Sequence, residues 1–323
     1  MAVGRIYSLQ VLRFMAASLV IVLHASERAF ADGAPRPLNV LGPMGVDLFF
    51  VLSGYIITTT AGGSTPGAFL VRRLTRILPT YYILTLAMMG MLAIGGQFTP
   101  DHLLVSFLLL PVGNSFHYLN SAWTLDYEML FYAAFAVALA FPRKGPLALL
   151  ALLAFALAAD PIRGGWFFDF VGNPLIVEFL LGVLAAKLGR SPVAGGWALA
   201  GGLAAVAVAA GCLGAMPEGW VRVATLGAPC ALIVYGAAQA SPGGAVQRWL
   251  AKLGDASFAA YLVHQFPVVF VHPANSLWGG ISLVVVATIA SWIFGVAVYI
   301  GLERPLLSFW RRLTSPAVVA QPA

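Results

Sequence analysis

Apolar runs long enough, or nearly long enough, to cross a bilayer recur along this whole chain. They lie at roughly 9–27, 46–61, 77–96, 124–141, 146–159, 173–189, 194–214, 220–240, 256–273 and 279–302. A chain built this way has few options, because backbone polar groups in lipid must be satisfied within a helix or a closed barrel. The expected fold is therefore all-α: a polytopic integral membrane protein of about ten transmembrane helices. The run 101–112 is too short to span and ends at Pro111, so it is expected as a re-entrant or interfacial piece. Charged residues make up only 9% of the chain and the mean hydropathy is +0.90. A pI near 9.5 would suggest nucleic acid in a soluble protein, but here topology explains it and no nucleic-acid partner is expected.

Charge placement orients the spans. With the N-terminus inside, ten spans put Arg5; Arg72, Arg73 and Arg76; Arg143 and Lys144; Lys187 and Arg190; Arg248 and Lys252; and Arg304, Arg311 and Arg312 on the cytoplasmic side. That is 13 of the 18 Lys and Arg. Arg28, Arg36, Arg163 and Arg222 fall outside and Arg13 lies within the first span, so the loops obey the positive-inside rule. Both termini are then cytoplasmic. The first run lacks a removed signal peptide's cleavage site and is expected to be retained. One membrane domain, 1–310, and a short cytoplasmic tail, 311–323, account for the chain. No internal repeat of the inverted-transporter kind is visible.

Arg13 and His24 are the costly residues of the first span. Eleven residues at 3.6 per turn is close to three turns, which puts both on one face, about 16 Å apart along the axis. An ionisable group in lipid is functional by default. In this topology Arg13 lies toward the inner end and His24 toward the outer. Asp47 opens the second expected span, Asp126 and Glu128 open the fourth, and Glu178 is near the outer end of the sixth, so these carboxylates gather on the side of His24. A carboxylate beside a histidine fixes its tautomer and raises its basicity, as a general base requires. Asp126 and Glu128 are about 200° apart on a helix, and Phe131 and Tyr132 follow Glu128 by one turn, which favours Glu128 as the functional member.

Plainer readings stand beside each of these. Asp47 can simply cap the second helix. His24, and the pair Tyr261 and His264 three residues apart, can be interhelical hydrogen-bonders. Arg72, Arg73 and Arg76 can serve topology and lipid headgroups, or their guanidinium forks can hold a phosphorylated cytoplasmic ligand. Cys212 and Cys230 fit as small core residues. HExxH, CxxC, the P-loop and a helix-opening GxGxxG are all absent. Ser53 in Val51-Leu52-Ser53-Gly54 lacks the glycine two residues earlier of an intramembrane serine protease. None of the five histidines has a partner at i+3 or i+4, so no metal is expected.

Together the motifs resemble the acyltransferase-3 family of bacterial membrane acyltransferases, marked by Arg, ten residues, His in the first helix. Arg13 and His24 have that spacing. GVDLFFVLSGY (45–55), FLVRRLTRILPTYY (69–82), SAWTLDYEMLFY (121–132), GDASFAAYLVHQF (254–266) and LERPL (302–306) are similar to its later motifs, in family order. Phe258 stands where the family often has Tyr. The wording around Trp123 is most similar to the exopolysaccharide-production subgroup.

The resemblance implies a membrane O-acyltransferase of the bacterial inner membrane. It would move an acyl group, usually acetyl from cytoplasmic acetyl-CoA, to a hydroxyl of a surface or exported carbohydrate. Arg72, Arg73 and Arg76 would hold the CoA phosphates, with Arg13 further along the pantetheine path. His24, oriented by Asp47 or Glu128, would deprotonate the acceptor or take the acyl group itself. Trp123, Asp126, Tyr261 and His264 would contact substrate. A transporter or flippase using the same charges, and a structural subunit, are the rival readings. The acceptor sugar and the oligomeric state, homodimer or otherwise, are encoded in no motif.

Overall fold

The computed structural model of the chain describes residues 6–110, 117–141, 166–240 and 243–314, with isolated positions between 145 and 158. The expected span 146–159 falls largely outside the described residues. So do Arg5, Pro111, Arg143, Lys144, Arg163 and the tail beyond Thr314.

Regular structure among the described residues is entirely helical. α1 (Tyr7–Ala29) is one unbroken helix, as the apolar run predicts. α2 (Arg36–Thr60) and α3 (Pro66–Ile94) begin about ten residues before their expected starts. Thr65 accepts from the Ala68 N–H and Pro66 takes the first helical position, so the basic stretch is already helical. A 3₁₀ turn (Pro100–His102) and α4 (Leu103–Leu108) form the expected non-spanning piece. α5 (Trp123–Ala140), α6 (Trp166–Val171), α7 (Ile176–Lys187) and α8 (Pro192–Cys212) follow. α9 (Gly219–Arg222) continues through a π-helical turn, Val223–Gly227, into α10 (Ala228–Gln239).

The expected span 256–273 is helical only as far as Val268, with His264 keeping right-handed helical dihedrals where its two segments meet. After α11 (Ala245–Asp255) it is divided into α12 (Ser257–Val263) and α13 (Gln265–Val268), in a stretch where Pro267 lacks the N–H that a continuous helix would use. α14 (Leu277–Val298) runs through a second π turn, Tyr299–Glu303, into α15 (Arg304–Thr314). Among the described residues, seven stretches are long and apolar enough to cross a membrane: α1, α2, α3, Phe168–Lys187, α8, Gly219–Gln239 and Leu277–Leu313.

Lipid is as apolar as a side chain, so close packing rather than water exclusion must hold such helices together. Small residues supply it. Gly45 of α2 lies on the Ala16 carbonyl and Val20 of α1, and Gly42 lies on Leu23, which fixes the antiparallel register of the pair. α2 and α7 cross more closely still. A Cβ on Gly54 would stand 2.0 Å from the Phe179 carbonyl oxygen, and one on Gly182 2.1 Å from that of Val51. Both obstacles are backbone, so nothing can swing aside. Gly182→Ala is expected to lower stability by about 1–3 kcal/mol or more, read as a fall in thermal midpoint in detergent. Beside this crossing Phe50, Phe179 and Phe131 stack at 4.5 and 4.6 Å, making a rigid floor for the site described next.

Candidate active site

α3 presents Arg72, Arg73 and Arg76 within two turns, so all three can turn toward one neighbour. Arg72 donates to Ser64 Oγ at 2.5 Å and Arg73 to Thr60 Oγ1 at 2.9 Å, so the turn between α2 and α3 holds two of the forks. Arg73 also lies over the Phe69 ring, 5.6 Å from its centroid. These arginines line a cavity of about 430 Å³ together with Arg13, Gln10, Asp255, Glu303 and the α15 residues Trp310 and Arg311. Arg13 donates to Gln10 Oε1 at 3.1 Å. The four arginines expected to act together are thus brought to one place.

Arg13 lines a second cavity as well. This is a slot of about 90 Å³ walled by Val46, Phe49, Phe50, Ser53, Thr124, Leu125, Glu128, Phe258 and Tyr261. Glu128 accepts from Ser53 Oγ at 3.1 Å and from the Tyr132 hydroxyl. Tyr261 donates to the Ser121 carbonyl at 3.1 Å and meets Thr124 Oγ1 at 3.2 Å. Its ring is 5.9 Å from that of His264, which stacks on His24 at 5.3 Å with 12° between the planes. His264 is fully buried, and its Nδ1 lies 2.6 Å from the Tyr261 carbonyl oxygen. A carbonyl only accepts, so that nitrogen carries the proton and the neutral ring keeps its lone pair on Nε2.

The carboxylates do not converge on His24, and this corrects the sequence reading. His24 Nδ1 meets Glu27 Oε2 at 2.9 Å, and both side chains are about half exposed. Glu27, a carboxylate at i+3 from a histidine that was expected to have no such partner, orients the ring. Neither Asp47 nor Glu128 does so. Asp47 is not a cap either. It is the twelfth residue of a helix that runs straight through Pro43, and it is fully buried. Its two oxygens accept from Arg222 Nε at 2.8 Å and Nη2 at 3.0 Å. Arg222, expected on the outer side, reaches Asp47 from the end of α9, while Glu178 packs beside Asp47 and against Gly227 of the π turn. Bulges of this kind often mark polar sites, and here one makes room for a carboxylate.

Asp126 belongs to a third place. Its Oδ2 meets His117 Nε2 at 2.9 Å, with both side chains buried. Trp123 lines neither cavity and packs edge-on against Phe50 and Tyr127. Among the described residues no cluster of three or more His, Cys, Asp or Glu could hold a metal ion. Sequence reasoning missed Glu27, His117 and the Arg222 partnership. Glu27 alone had a local signal, since the other contacts join elements that are apart in sequence or pass through a loop.

The described residues form a helical, membrane-type architecture with an arginine and a histidine three turns apart on the first helix and a basic cavity at the arginine end, an arrangement in keeping with a membrane acyltransferase of the acyltransferase-3 type. The chain belongs to that family, whose Acyltransferase domain matches residues 6–301. It is 31% identical over 298 residues to the "Exopolysaccharide production protein ExoZ" of Rhizobium meliloti (strain 1021), covering 83% of this chain and 90% of the relative. It is 26% identical over 313 residues to the "Acyltransferase MdmB" of Streptomyces mycarofaciens, covering 84% of this chain and 81% of that protein. No solved structure matches it.

Proposed function

We propose that this chain is an O-acyltransferase that carries an acyl group, acetyl in the simplest case, from cytoplasmic acyl-CoA to a hydroxyl of a surface or exported carbohydrate. The observation that carries this reading is Arg13, which lines both the basic cavity and the apolar slot. An extended thioester with phosphates at one end and an uncharged acyl group at the other needs that sequence of surroundings. The charge census supports a cytoplasmic mouth, because Arg72, Arg73, Arg76 and Arg311 were all assigned inward and all line the same cavity. The ExoZ relative supports a polysaccharide acceptor, and the site would then work in the cytoplasmic membrane of a bacterium.

In this reading guanidinium forks bind the donor phosphates. The thioester passes Arg13 and enters between Phe49, Phe50 and Phe258, with Tyr261 leading toward the stacked histidines. His24, held by Glu27, accepts the proton of the acceptor hydroxyl as its oxygen attacks the thioester carbonyl. The C–S bond breaks and the departing thiolate takes the proton. Transient acylation of His24 uses the same groups in two steps.

Purified protein in liposomes, given acetyl-labelled acetyl-CoA and a polysaccharide acceptor, is expected to label the glycan. Movement of unmodified solute without acyl transfer would sink the proposal in favour of a transporter. Arg73→Ala is expected to raise the KM for the donor about tenfold or more, the equivalent of one lost hydrogen bond to a charged group at ~1.5–3 kcal/mol. An unchanged KM would reduce that arginine to a topological role.

A further inference from the structure

The basic cavity has a wall that the transfer chemistry above leaves unused. Leu307, Trp310 and Arg311 of α15 line it together with the α3 arginines. Spaced i, i+3 and i+4, they share one face of the helix, so α15 lies along the cavity instead of touching it by one side chain. Its other faces carry the exposed apolar residues Phe309 and Leu313 next to Arg312. That pattern suits a helix lying in the membrane interface. The π turn Tyr299–Glu303 ties it to α14, and both Tyr299 and Glu303 also line the cavity.

Position and chemistry say what this wall faces. Trp310 is seven residues beyond Glu303, about 10 Å further along a helix, so it stands away from the Glu303 end of the cavity. A donor whose acyl end passes Arg13 has its opposite end free to lie along α15. An indole plane with an adjacent guanidinium fork, in a cavity with four other arginines, matches a nucleobase that carries phosphates. Every base offers a π-face, and stacking on an aromatic side chain contributes about 1–3 kcal/mol per base.

Resting on the acyl-CoA reading above, we propose that α15 is the nucleotide-recognition wall of the donor cavity. Trp310 stacks on the adenine and Arg311 takes a phosphate of the same nucleotide. The chain thereby selects CoA thioesters over donors that carry only the phosphopantetheine arm.

The test is steady-state kinetics of the full chain in lipid nanodiscs with two donors, acetyl-CoA and acetyl-phosphopantetheine, which lacks the nucleotide. Trp310→Ala is expected to raise the KM for acetyl-CoA about 5- to 150-fold, the range that a lost stacking contact corresponds to, with kcat preserved. The KM for acetyl-phosphopantetheine should not move. Trp310→Phe, which keeps an aromatic plane and the packing, should restore most of the affinity for acetyl-CoA. Arg311→Gln should repeat the donor-selective rise.

An equal rise for both donors would make α15 a structural wall and overturn the proposal, as would no rise for either. If the unaltered chain favours the truncated donor, the nucleotide is not recognised. If it transfers from neither donor, the acyl-CoA reading falls and takes this inference with it.

Discussion

His24→Gln is expected to lower kcat by two to four orders of magnitude while leaving the donor KM and the thermal midpoint near their starting values. That is the range a positioned general base contributes. His24 is the histidine of the pair that can meet an acceptor, since it is half exposed where His264 is fully buried. Glu27 holds its Nδ1, which leaves Nε2 as the nitrogen that can take a proton once Nδ1 carries one. Because the side chain is half exposed, its removal opens no deep cavity, and stability should be nearly unaffected. Glu27→Gln should cost less than His24→Gln, since it disturbs orientation and not the base itself. Full turnover by folded His24→Gln protein would remove His24 from the chemistry and leave the stacked His264 to be examined in its place.

How far this site could be read in advance differs by element. The spacing of Arg13 and His24 needed only one uninterrupted helix, and α1 is one, so their common face and separation hold. The basic cluster was legible as a cluster because its members sit within five residues of one another. Its extension by Arg311 was not, since α15 reaches the cavity through a π turn that no hydropathy window registers. The start of α2 was misplaced because Pro43 and the nearby glycines look like helix breakers. Inside a bundle, neighbouring helices satisfy the freed backbone groups, while Gly42 and Gly45 let α1 approach. Moving that start from 46 to Arg36 turned Asp47 from a cap into a buried mid-helix charge. Glu128, too, belongs at the depth of Arg13, because both line the slot. Depth along a helix follows from sequence only once its start is right, and the choice of partner on another helix follows from packing.

Asp47→Leu is expected to destabilise the protein by about 3–5 kcal/mol, the loss seen when one partner of a buried ion pair is removed. Asp47 is fully buried and Arg222 nearly so, with the guanidinium donating to both carboxylate oxygens. Removing the carboxylate strands a cation where neither water nor lipid headgroups can reach it easily. The ion pair itself need not be strongly stabilising, because desolvating two charges offsets much of their attraction. The double variant Asp47→Leu/Arg222→Met should therefore recover most of what the single one loses. Glu178→Gln should be far milder than Asp47→Leu, since it leaves the fork between Arg222 and Asp47 in place. Thermal unfolding in detergent measures all of these, and a double variant no more stable than Asp47→Leu would show that the pair acts through something other than its charges. The consequence for activity follows from α2, which carries Asp47 on the side of Arg222 and Phe49, Phe50 and Ser53 in the slot. An uncompensated charge at Asp47's partner pulls on the helix that walls the donor path, so turnover in Asp47→Leu should fall with stability and return in the double variant. A double variant that is stable but inactive would instead assign Asp47 a part in the chemistry.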